Sequence, residues 1–182
     1  MLAAGRRGPF WSAPLPPLED IARRAPFPLY GLTADWTGGR RLHTACVSDG
    51  EVTYVGLRHG APAREDPELV VTSFLGDERQ AHLLLLHAAH HLDVDDGQQP
   101  AADVGPDEVM RHQAGRWRPW TVAVEGRDQV FWLHDAGHRW AAFARVGTVR
   151  VLVAATRWDR ADVRLAIVDP AAYAVSGSTT NR

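Results

Sequence analysis

Lysine is absent from this 182-residue chain; all 20 basic side chains are arginine. Without lysine there is no Schiff-base nucleophile and no phosphate-binding lysine of the P-loop kind. Cysteine occurs once, at Cys46, which excludes an intrachain disulfide and any cysteine-rich zinc site. Isoleucine occurs only at Ile21 and Ile167 and asparagine only at Asn181, while alanine, arginine and glycine are abundant, the bias of a GC-rich bacterial genome. No long hydrophobic run exists either. The longest strongly apolar stretch, Leu83 to Leu86, falls far short of the ~20 residues that span a bilayer. The first residues, Met1 to Gly8, hold no secretory apolar region, so a soluble cytoplasmic protein without membrane contact is the expectation.

What is present is ordinary globular material. Apolar residues make up 45% and charged residues 23%, enough for a packed core in a chain of one-domain length. The net charge of −2 and pI near 6.5 lack the basic excess of a general nucleic-acid binder. The charge is nevertheless uneven. Residues 93–110 carry six acids and no arginine, whereas residues 111–182 carry 11 arginines against 6 acids. An acidic segment therefore separates a balanced first half from a basic second half.

Residues 1–17 are expected to form an extended arm rich in Pro, Gly and Arg, with Phe10 and Trp11 as its aromatic side chains. Leu18, Ile21, Ala22 and Ala25 follow at helical spacing and Pro26 stops them. Strands are expected at 41–48 and 51–58 around Asp49-Gly50, a dipeptide suited to the two positive φ angles of a type I′ hairpin, and again at 68–74. Asp77 and Gln80 make a capping-box pattern. Behind them Ala81, Leu84, Leu85, Ala88 and Leu92 line one face, which predicts a long buried helix at about 77–92. A short helix is expected over 107–114. Thr121–Glu125, Gln129–His134, Arg139–Val146 and Thr148–Thr156 alternate as strands between Gly126, Asp135-Ala-Gly137 and Gly147. Val163, Leu165 and Ile167 alternate too, although 159–168 also fits a helix. The expected fold is α+β: a mostly antiparallel sheet of seven or eight strands with one long buried helix and one or two short ones. It occupies 18–175 as a single domain, or as docked subdomains 27–92 and 116–175, followed by a flexible tail at 176–182.

Four histidines crowd the predicted long helix. His87 and His91 stand one turn apart, a spacing that aims two imidazoles at one metal, with Asp93 and Asp95 as oxygen donors. The general-base glutamate of an HExxH site is missing, and imidazoles in a helix's last turn also satisfy its terminal carbonyls. Asp93-Val-Asp-Asp-Gly97 fails as a calcium loop because its twelfth position is Val104. Cys46 and His43, three apart on a strand, face opposite ways, and no Gly-x-Ser-x-Gly elbow exists.

The most unusual pattern is tryptophan beside arginine. Trp117, Arg118 and Trp120, then Arg139 and Trp140, then Arg157 and Trp158 all fall in the basic second half. Both residue types dominate interface hot spots. These seven residues are therefore the candidate binding surface of a non-catalytic binding or regulatory protein, acting on a protein partner or its own copy and needing no cofactor. Two alternatives stand beside it. One is a hydrolytic enzyme using His87, His91, Asp93 and Asp95 through a metal or through acid–base chemistry; the other is an α+β carrier of a small ligand.

Overall fold

The computed structural model describes residues 16–33, 40–48, 50–60, 67–76, 117–171 and 173. The first element, α1 (Leu18–Arg24), starts on Pro17, whose carbonyl accepts from the N–H groups of Asp20 and Ile21. Glu19 and Asp20 sit at its positive end and Arg23 and Arg24 at its negative end, and Leu18 and Ile21 turn into the core. Ala25 is extended because Pro26 follows it.

Nine strands follow: β1 (Tyr30–Leu32), β2 (Arg40–Ser48), β3 (Glu51–Gly60), β4 (Glu68–Phe74), β5 (Trp117–Val124), β6 (Arg127–Ala136), β7 (Arg139–Val146), β8 (Val149–Thr156) and β9 (Arg164–Ile167). They make one sheet in the order β1-β9-β5-β6-β7-β8-β4-β3-β2. The hairpin turns are two-residue loops with the required chirality. Glu125 and Gly126 both have positive φ, the type I′ condition, while Gly137 and Gly147 supply the positive φ at the next two corners. Ser48 pairs with Glu51 across the Asp49-Gly50 corner, so the hairpin expected there is formed.

The expected architecture needs correction in its strand count. Among the described residues nine strands are present, not seven or eight, and the β5–β9 pair is parallel within an otherwise antiparallel sheet. β1 has only three residues, too few for alternation to show in sequence. β9 has four, and they were compatible with a helix until β5 and β1 paired with them. The helices expected at 77–92 and 107–114, most of the arm at 1–17, and the tail at 176–182 lie outside the described residues; α1 is the single α-helix within them. β4 pairs with β8, so strands from both halves of the chain share the one sheet.

The sheet's core face carries Val55 and Leu57 of β3, Leu69 and Val71 of β4, Phe131 and Leu133 of β6, and Val151 and Val153 of β8. The β1 edge folds back over this face. Tyr30 donates its N–H to Ser73 Oγ on β4 at 2.8 Å, and Gly31 lies so close to Val168 and Leu57 that a Cβ there would force a neighbour to shift. Alternate residues point to the other face, where Phe74 and Leu152 are buried with Tyr54, Trp117 and Phe143 packed around them.

Candidate binding surface

The structure separates the seven tryptophan and arginine residues singled out in the sequence. Trp140 is 2% exposed, inside the main core, with its ring edge-on to Trp120 at 5.4 Å and its indole N–H donated to the Trp158 carbonyl. Trp120 and Trp158 are half-buried against the same core. Trp117 lies on the other face, tilted over His134 with ring centroids 5.3 Å apart. Three indoles therefore pack inward from one face and the fourth belongs to the opposite one.

The arginines are placed by backbone and by ion pairing. Arg118 and Arg160 both donate to Asp135 Oδ2, Arg118 at 3.0 Å, and the Gly137 N–H reaches Oδ1. Partial burial pushes the Asp135 carboxyl up, but the Arg160 bond and charge, the Gly137 N–H and the Arg118 charge together outweigh it and hold it below the usual aspartate value. Arg118 is thus engaged in tying β5 to β6 and to the 3-10 turn Arg160–Asp162. Arg157 takes a positive φ and donates its N–H to His138, closing the corner after β8. Arg139 pairs with Thr156 and is half-buried.

A different tryptophan faces solvent. Trp132 on β6 is 53% exposed, and Val130, two residues away on the same face, is 51% exposed. Their neighbours Phe131 and Leu133 are buried, so the strand is apolar on both faces. Trp132 is in register with Pro119 of β5 and Phe143 of β7. The sequence signal was the unbroken run Val130-Phe-Trp-Leu133. A half-buried strand alternates with polar residues; four apolar residues in a row put two on the outer face.

Beside this patch the sheet parts. The β6–β7 ladder ends at Trp132 and Phe143, although β6 extends back to Arg127 and β7 runs on to Val146. A cavity of about 420 Å³ lies at that end, lined by Val124, Glu125, Arg127, Asp128, Gln129 and Val146. Glu125 is committed there, accepting the Ile167 N–H. On the outer face, Arg145 of β7 stands directly opposite Arg150 of β8. Each guanidinium gives its Nε hydrogen to a backbone carbonyl, Arg145 to Gly147 at 3.1 Å and Arg150 to Gly76 at 2.8 Å.

Comparison with protein-family models, with curated proteins and with solved structures finds no match to this chain. His87, His91, Asp93 and Asp95, the candidate metal ligands, lie outside the described residues. Among the described residues no group of three or more His, Cys, Asp or Glu side chains is arranged to hold a metal ion, and no helix is long and apolar enough to cross a membrane.

Proposed function

We propose that this chain is a non-catalytic binding protein that takes a protein partner, or a second copy of itself, on the outer face of β6. The observation that supports this reading is the exposed Trp132 beside Val130 on β6, a strand inside the sheet. Tryptophan is the residue most enriched in interface hot spots, and a flat sheet surface positions it at little entropic cost. The proposed surface keeps the tryptophan-and-arginine character expected from sequence but moves its centre, with Trp132 as the anchor and Trp117 at its margin.

The test is Trp132→Ser in the full chain. Sedimentation over a range of concentrations and affinity capture are compared with the parent protein. A hot-spot residue contributes about 2 kcal/mol, about thirtyfold in affinity, so self-association or capture falls by that factor while the thermal midpoint stays in place. Association unchanged by the substitution, or absent in the parent, defeats the proposal.

The cavity at the parted end of β6 and β7 favours a second reading, the small-ligand carrier. Its volume of about 420 Å³ lies within the range of ligand pockets, and Val124 and Val146 line it together with four polar residues. Thermal shifts across a metabolite set test it, since a ligand that binds only the folded state raises the midpoint.

A further inference from the structure

The cross-strand pair Arg145 and Arg150 is an arrangement that folding alone does not favour. Like charges directly opposite on neighbouring strands repel, and no ion pair relieves either residue among the described ones. Both guanidinium groups are nonetheless held in place, because each Nε donates to a fixed carbonyl and leaves the terminal nitrogens as spare donors. Arginine forks of this kind match the two oxygens of a carboxylate. Elsewhere on the same face Arg58 already has its acid, Glu68 at 2.6 Å, and on the far side of β5 and β6 Arg118 and Arg160 share Asp135. Asp128 sits on the same face of β6, one strand over from Arg145, yet makes no ion pair with it.

The register places these two arginines next to the apolar patch. Arg145 is two residues beyond Phe143, which faces Trp132, and Arg150 is two residues before Leu152, which also pairs with Phe143. Positive charge with no acid partner among the described residues thus borders the exposed Trp132 and Val130. Resting on the reading of β6 as a binding surface, we propose that its partner presents an acidic peptide segment. The carboxylates of that segment meet Arg145 and Arg150 while an apolar side chain covers Trp132. Charge complementarity selects an acidic occupant over a neutral one: the two facing cations repel when the surface is empty and are satisfied when an acid lies between them.

The full chain is titrated into a fluorescein-labelled peptide of alternating glutamate and leucine, and into the same peptide with glutamine in place of glutamate, at constant ionic strength with anisotropy as the readout. The glutamate peptide binds at least about tenfold tighter, the size expected of one charge-assisted hydrogen-bonded contact. Arg145→Glu abolishes that preference. It also raises the thermal midpoint, because opposite charges then face each other across β7 and β8, so loss of binding cannot be assigned to loss of folding. Arg150→Gln weakens the glutamate peptide selectively, and Trp132→Ser weakens both peptides. Equal binding of the two peptides, a preference that survives Arg145→Glu, or a response to inorganic phosphate with no response to either peptide overturns the inference. The glutamine peptide separates the two readings. If it binds equally well and Trp132→Ser weakens both, the surface stands and the acidic preference falls. If Trp132→Ser changes neither affinity, the surface itself falls.

Discussion

Asp135 accepts from two arginines and a backbone N–H, and its pKa is lowered, so its contribution to stability has a defined sign with pH. A carboxylate whose folded pKa lies below its unfolded value stabilises fully above that unfolded value, about 3.9 for aspartate, and loses the contribution as pH falls through the folded one. Asp135→Asn therefore flattens the acid limb of a stability–pH curve measured by urea unfolding, and the difference from the parent vanishes at the acid end. A second contrast concerns two tryptophans on neighbouring strands. Trp140, 2% exposed and bonded to Trp158, costs about 3–5 kcal/mol when cut to alanine. Trp132, 53% exposed, costs less than about 0.5 kcal/mol on the same substitution. Urea denaturation of the two variants reads both numbers. Sequence could not rank these residues. Trp140 alternates with Arg139 and Phe143 as a surface-facing residue also would, and only the packing of the folded chain shows which face is covered.

At the scale of elements, the corners and edges carry the most exposed commitments. Glu125-Gly126 turns the chain with both φ angles positive, so Gly126→Ala costs about 1 kcal/mol in a urea titration by forcing a Cβ into the left-handed region. At β1 the constraint is proximity. A Cβ on Gly31 would stand 2.6 Å from Val168 Cγ2 and 3.2 Å from Leu57 Cδ1. Gly31→Val consequently destabilises by about 1–3 kcal/mol through overpacking, and faster amide exchange at Leu32 and Leu165 localises the damage to β1 and β9. The long strands were legible because they alternate and end in turn residues: 68–74 and 139–146 match their expected limits, and the 41–48 and 51–58 hairpin forms around Asp49-Gly50. β1 was not legible, since three residues, Tyr30-Gly-Leu32, carry no periodicity and owe their strand geometry to β9.

Across the whole molecule, charge separates into used and spare. Among the described residues Arg58, Arg118 and Arg160 are paired with acids, while Arg145 and Arg150 are not. Association through the β6 face accordingly weakens as salt rises past about 0.15 M, where the screening length is about 8 Å, and a purely apolar contact at Trp132 holds or strengthens; sedimentation at several salt concentrations distinguishes the two. The excess of arginine in the second half was plain from composition, but which arginines meet an acid depends on strand register and on the face each side chain takes. The sequence by itself determined the sheet-rich class, the hairpin corners and the absence of disulfide and lysine chemistry, because these follow from residue type and short-range spacing. Only the tertiary structure decided that Trp140 is core and Trp132 is surface, and that β9 lies parallel to β5. Each of these depends on which strand lies beside which and which face is covered, and local periodicity encodes neither.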